Sequence, residues 1–231
     1  MWEDLKKDWA FKDFHFRDLR KKEYRHVFLL LYWPFFVVAF FLVGAIAQEK
    51  DYAVIHCGLD DMIPFCEYFA VFYVFWYALV FGSLIYTLLY DPKSFSKLSL
   101  FIFITQLIAM TIYILYPSRQ DLRPEAFVRD NFLTRLMAFI YSFDTSTGVC
   151  PSLHVAYSMG ILSVGLKNKE LKPVWKVLLA FVVVMICLAT AFVKQHSMVD
   201  VFAALPVSLV AELFVYWDDY WKPRLCARKR A

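Results

Sequence analysis

Apolar residues in this chain fall in long unbroken runs. They do not alternate, and they do not keep to one face of a 3.6-residue period. Six runs stand out: Val27 to Ala47, Met62 to Leu89, Leu98 to Tyr116, Pro151 to Leu166, Pro173 to Val193 and Met198 to Trp217. Crossing about 30 Å of hydrocarbon takes ~20 apolar residues in a helix, and these runs have roughly that length. Strands of a membrane β-barrel alternate polar and apolar residues over ~10 positions, whereas these runs are apolar all round. The pattern predicts an all-α, polytopic membrane protein with six transmembrane helices. The first run follows a long charged stretch and is too long for the apolar core of a secretory signal, so no cleaved signal is expected.

Composition agrees: 61% hydrophobic residues, 19% aromatics and a mean hydropathy of +0.51 exceed what a soluble domain of 231 residues can hide. Charge then supplies direction. With the N-terminus in the cytoplasm, only Lys50, Arg119, Arg123, Arg129, Arg135 and Lys194 of the 25 basic residues fall outside, and basic residues near span ends stay on the cytoplasmic side. The expected topology is N-in and C-in. The net charge of +4 is therefore a topology signal, and no nucleic-acid partner is expected.

The expected organisation is an amphipathic cytoplasmic segment over 1–26, a six-helix membrane domain over 27–217 and a basic cytoplasmic tail over 218–231. Trp2, Leu5, Trp9, Phe16 and Leu19 share one helical stripe, which suits a helix lying on the inner leaflet. There is no internal repeat or Gly/Ser linker. A bridge between Cys57 and Cys66 outside the membrane is chemically allowed, but their spacing is not diagnostic and buried or free thiols are expected.

The topology groups the polar outliers. The third connection, 117–150, is the longest; it carries Arg123-Pro124 and ends in Val149-Cys-Pro-Ser-Leu-His154. Another short turn, Lys194-Gln195-His196, leads to Asp200 at the start of the last span. Arg123, Ser152, His154, Lys194, His196 and Asp200 thus all reach the outer face. His196 and Asp200, four apart, share a helix face, so the carboxylate can fix the imidazole tautomer and leave its other nitrogen as nucleophile or base. A polar pair buried for packing is the plainer alternative. Pro151 suits the first position of a helix whose free N–H groups form an anion site, with Ser152 adding a hydroxyl and His154 facing the ligand. Glu67 and Glu212 receive no role.

Arg-Pro in an outer loop, Pro-Ser-x-His at one helix start and His-x-x-x-Asp at another, in that order, resemble the type-2 phosphatidic acid phosphatase superfamily. The resemblance runs from about Tyr116 to Asp200. Leu153, where many members have Gly, and the Lys-Gln-His turn look closer to the branch of bacterial lipid phosphatases and inositol phosphotransferase-like proteins. It implies metal- and cofactor-free hydrolysis of a lipid phosphate or diphosphate, at the outer face of a bacterial inner membrane. By this resemblance His196 attacks phosphorus, Asp200 orients it and His154 protonates the leaving oxygen. Arg123, Ser152 and the N–H groups at Leu153 and His154 hold phosphate oxygens. Two cations of the family pattern are absent, Tyr116 and Thr190 standing in their places, and Lys194 is the nearest substitute, with Arg119 next.

Three other functions compete. A phosphotransferase would resolve the same intermediate with an acceptor alcohol. A transporter would need polar residues along several spans, and the midplane offers little beyond Gln106, Ser158 and Gly160. A zinc site of His154, His196 and Asp200 is chemically allowed, but Arg123 and Lys194 beside it would favour phosphate over a dication.

Overall fold

The computed structural model describes residues 9–12, 15–47 and 52–228. Trp2 and Leu5 of the expected amphipathic stripe lie outside them. In its described part that segment holds a 3-10 helix at Phe16–Arg20, followed by another at Lys22–Leu31 that leads into α1 (Tyr32–Ala47). Beyond these come α2 (Gly58–Met62), α3 (Ala70–Tyr90), α4 (Pro92–Leu115), α5 (Phe132–Phe143), α6 (Leu153–Lys167), α7 (Pro173–Phe192), α8 (Met198–Tyr216) and α9 (Lys222–Arg228). Two two-residue strands depart from the all-α expectation: β1 (Ala53–Val54) pairs in parallel with β2 (Ser118–Arg119) and ties the first outer connection to the third.

Among the described residues, four helical segments are long and apolar enough to cross a membrane: Glu67–Tyr90, Pro92–Leu115, Pro173–Phe192 and Met198–Cys226. Their boundaries have local causes. The second expected run begins at Met62, but Pro64 interrupts it, since proline disfavours helix at Ile63 and lacks an N–H. α2 stops at Met62 and the helical path resumes with a 3-10 turn at Glu67–Phe69. α4 starts six residues before its apolar run because Asp91 caps it, accepting from Ser94 N at 3.2 Å and Ser94 Oγ at 2.8 Å, with Pro92 in the first turn. The third connection is not one loop. Asn131 accepts from the Leu133 and Thr134 amides at 2.9 and 3.0 Å and starts α5. Nor is 218–231 a separate tail in its described part, because a π-helical turn at Trp217–Trp221 carries α8 on into α9.

α6 sits at the centre, packed against α3, α4, α7 and α8. Leu98 and Ile102 of α4, Val155, Ala156 and Ile161 of α6, and Val201 and Ala204 of α8 fill the buried middle. The helices approach closely at Gly160, where a Cβ would lie 2.7 Å from a ring carbon of Phe101. A side chain there would have to displace the Phe101 ring between α4 and α6. At fifteen residues α6 rises about 22 Å, short of the ~30 Å hydrocarbon layer.

Candidate functional site

α6 and α8 bring their N-terminal ends together, and the expected histidines meet there. His196 Nδ1 lies 3.1 Å from Asp200 Oδ2, and His196 Nε2 lies 3.4 Å from His154 Nδ1. Asp200 is fully buried and accepts the Ser197 amide at 3.1 Å through the same oxygen. Its own carbonyl accepts the Ser152 amide at 3.1 Å, locking the start of α6 to α8. The carboxylate is thus fixed by backbone before it fixes the imidazole. The three side chains lie in a row, and among the described residues no group of three His, Cys, Asp or Glu side chains converges to hold a metal.

His154 is clamped by aromatics. Its ring stacks on Tyr73 at 4.7 Å and sits 4.2 Å from Trp76, whose indole N–H donates to the His154 carbonyl at 3.0 Å. Both histidines line a cavity of about 370 Å³ whose wall includes Tyr77, Tyr113, Asp144 and Gly148. Gly148 has φ +63, a left-handed conformation that favours glycine, and faces the Tyr113 ring.

Other expectations need correction. Pro151 is not the first helical residue: Ser152 is the N-cap and Pro151 precedes it. Tyr113 Oη donates to the Pro151 carbonyl at 2.7 Å, which holds that residue in the loop. Ser152 Oγ makes no capping bond and is buried without a partner. The amides of Leu153, His154 and Val155 open α6 without intrahelical acceptors, as first-turn amides do.

The cations are oriented otherwise than expected. Arg123 donates to the Tyr141 carbonyl at 3.2 Å, to the Asp144 carbonyl at 2.5 Å and to Gln195 Oε1 at 2.6 Å, its guanidinium over the Tyr141 ring. Burial pulls its pKa down from the ordinary arginine value, with Asp144 opposing. Lys194, at φ 54, turns its ammonium to the Asp60 carbonyl at 2.8 Å; burial lowers its pKa, with Asp60 and Asp61 opposing. Arg119 pairs with Asp121 at 3.2 Å. None of the three lines the histidine cavity, and the one charged carboxylate residue on its wall is Asp144.

Three positions around the site carry weight that the sequence did not announce. Gln195 donates to Asp144 Oδ2 at 2.9 Å and to Tyr73 Oη at 3.3 Å, joining Arg123 to the aromatic clamp. Asp144 also accepts from Tyr73 Oη at 2.7 Å. Asp60 receives Ser197 Oγ at 2.6 Å, the Met198 amide at 2.8 Å and the Cys57 amide at 2.8 Å, so it caps α8 from α2, far away in sequence. Burial works against its ionisation, but these bonds outweigh it and hold the carboxyl below its ordinary range. The Lys-Gln-His turn hinted at Gln195; nothing local marked Asp60 or Asp144. No family model, curated protein or solved structure matches the chain.

Proposed function

We propose that the protein is an integral-membrane lipid phosphatase that cleaves a lipid phosphate or diphosphate through a phosphohistidine, without a metal. The observation that carries this reading is the row Asp200–His196–His154 at 3.1 and 3.4 Å, whose two histidines line an aromatic cavity. The order of Arg-Pro, Pro-Ser-x-His and His-x-x-x-Asp, with its resemblance to the type-2 phosphatidic acid phosphatases, supports it independently.

In this reading Asp200 holds the proton on His196 Nδ1 and leaves Nε2 its lone pair. Phosphorus enters between the histidines and breaks their contact. Nε2 bonds to phosphorus as the lipid P–O bond breaks, and His154 gives its proton to the departing oxygen. Water then attacks phosphorus as the P–N bond breaks, His154 takes the water's proton, the electron pair returns to His196 Nε2, and phosphate leaves. The amides of Leu153 and His154, with Ser152 Oγ, meet the phosphate oxygens at the positive end of α6. Arg123 joins them by exchanging its carbonyl partners for phosphate. Lys194 is instead a structural cation of the α2 contact.

The same reading takes α1 with its preceding 3-10 helix, and α6, as the fifth and sixth spans, with both termini cytoplasmic and the site outside, in a bacterial inner membrane. The distribution of Lys and Arg supports that orientation. A reporter after Lys169 should read cytoplasmic and one within 125–145 external; the reverse overturns it.

The deciding experiment incubates purified protein with phosphate-labelled lipid phosphates and diphosphates. Expected are phosphate release that survives chelation and an acid-labile protein label absent in His196→Ala. Adding acceptor alcohols separates hydrolysis from transfer by product. Turnover by His196→Ala, or activity lost to EDTA and restored by zinc, overturns the phosphohistidine.

A further inference from the structure

The far ends of α6 and α8 carry a second polar cluster. Lys167 follows His154 by thirteen residues, roughly 20 Å along the helix. Its ammonium pairs with Glu212 of α8 and donates to Ser163 Oγ at 2.7 Å, and each partner's side chain is only 13% exposed. Ser163 donates to Glu212 in turn, and Trp221 Nε1 donates to Glu212 at 2.9 Å. The π-helical turn at Trp217–Trp221 brings the Tyr220 ring to 4.8 Å from the ammonium. A largely buried ion pair thus forms the floor of this end of the bundle.

Above that floor lies a bowl of about 450 Å³. Its wall holds five cations, Lys97, Lys167, Lys169, Lys176 and Arg224, against one carboxylate, Asp219. Asp219 meets Lys97 at 2.6 Å and Glu212 meets Lys167. With Asp219 taken up by Lys97, the residues lining the bowl offer no carboxylate to Lys169, Lys176 and Arg224. Lys176 reaches in to donate to the Leu166 carbonyl at 2.9 Å, and Arg224 stacks on the Tyr220 ring at 3.4 Å. Next to the bowl runs a trough of about 420 Å³ lined by Phe101, Met159, Leu162, Leu205 and Leu209. Leu166, Lys167 and Tyr220 line both spaces.

We propose that bowl and trough together bind an acidic phospholipid at the end of the bundle opposite the histidines. Its phosphate lies among Lys169, Lys176 and Arg224, and part of an acyl chain lies against the leucines of α6 and α8. Charge complementarity selects an anion. A soluble phosphate would leave the trough unfilled, and a neutral lipid would leave the cations unmatched, so the combination commits the site to a charged lipid. The site rests on Lys167 and its neighbours alone and stands whether or not His196 is a nucleophile.

The test places the full chain in phosphatidylcholine nanodiscs containing a minor fraction of labelled phosphatidylglycerol. Preferential retention of the acidic lipid is expected. Each basic side chain near a headgroup is worth roughly fivefold, so the Lys169→Gln, Lys176→Gln, Arg224→Gln variant should lose on the order of a hundredfold. Leu205→Trp, which fills the trough and leaves the cations alone, should also weaken retention. Circular dichroism and melting follow the fold of both. Retention unchanged in the triple variant overturns the proposal. So does displacement of the lipid by glycerol 3-phosphate as readily as by unlabelled phosphatidylglycerol with Leu205→Trp without effect, which would mark a site for a soluble anion. Salt-independent retention by the unaltered protein overturns it as well.

Discussion

α6 and α8 are polar at both ends, yet the two ends are built differently. Where the helices begin, His154, His196 and Asp200 form a row, and buried polar atoms beside it lack partners, among them Ser152 Oγ and His154 Nε2. Where the helices end, Lys167, Glu212, Ser163 and Trp221 satisfy one another, with both oxygens of Glu212 engaged. A buried polar atom left unmatched costs about 1–3 kcal/mol. The same two helices thus carry one cluster whose polar atoms are matched within the protein and one in which some are left unmatched. The helix dipoles point the same way, since the N-terminal ends favour an added anion and the C-terminal end favours Lys167.

That comparison breaks most sharply under substitution of the open row. His196→Ala should abolish lipid-phosphate turnover, and Asp200→Asn should reduce it by about 10⁴-fold, the scale on which a misoriented imidazole acts in other His-carboxylate pairs. Phosphate release, with circular dichroism as control, checks both. Glu212→Gln at the closed end should leave turnover within a few-fold. A comparable collapse there would mean that the two clusters are one machine.

Stability should respond in the opposite order. Removing Glu212 strands the Lys167 ammonium, and breaking such a buried pair costs about 3–5 kcal/mol. Glu212→Ala should therefore melt well below the unaltered protein in detergent, and Lys167→Met with Glu212→Leu should recover most of the loss. If Glu212→Ala melts normally, the pair is not the floor of the bundle.

Asp60 lies between these extremes. It caps α8 from outside and holds the turn that carries His196, so Asp60→Asn should cost roughly 1–2 kcal/mol, as a lost charged cap does. Its folded pKa is depressed, so its contribution is present above the ordinary carboxylate value near 4 and disappears as pH falls through the lower folded value. Melting followed from pH 7 down to pH 3 should show an acid loss that Asp60→Asn lacks.

Legibility followed sequence distance. Runs of ~20 apolar residues announced the four long helices, and the spacing of four announced that His196 and Asp200 share a face, because both rest on local geometry. The boundary errors were local too: Ile63-Pro64 and Asp91-Pro92-x-Ser94 are a break and a cap that the apolar pattern overrode. α5 was missed inside a long connection, although Leu133, Leu136, Met137 and Ile140 keep helical spacing and Asn131 caps it. The directions of Arg123 and Lys194 were not legible at all. Each is set by carbonyls from distant segments, of Tyr141 and Asp144 for Arg123 and of Asp60 for Lys194. Pairing by charge would have sent both to a phosphate. Asp60, 137 residues from Ser197, could be found only by folding the chain.

The smallest effect expected concerns Cys150, whose thiol sits beside Asp200. Burial first, and then the Asp200 carboxylate, push its pKa up to about 12. The thiolate is the reactive form, and at pH 8 such a thiol is ionised to only about one part in 10⁴. Exposed Cys226 should therefore react with a maleimide well before Cys150, and Asp200→Asn should quicken Cys150 by removing the neighbouring charge. The folded state prefers the neutral thiol, so its share of stability is whole below the ordinary thiol value near 8.5 and is lost as pH rises towards 12. Cys150→Ser should flatten that alkaline loss. Mass spectrometry of peptides labelled at successive times reads the rates. Equal labelling of Cys150 and Cys226 would mean that neither burial nor the Asp200 carboxylate holds the Cys150 thiol protonated, and the close contact drawn between Cys150 and the histidine row would no longer hold.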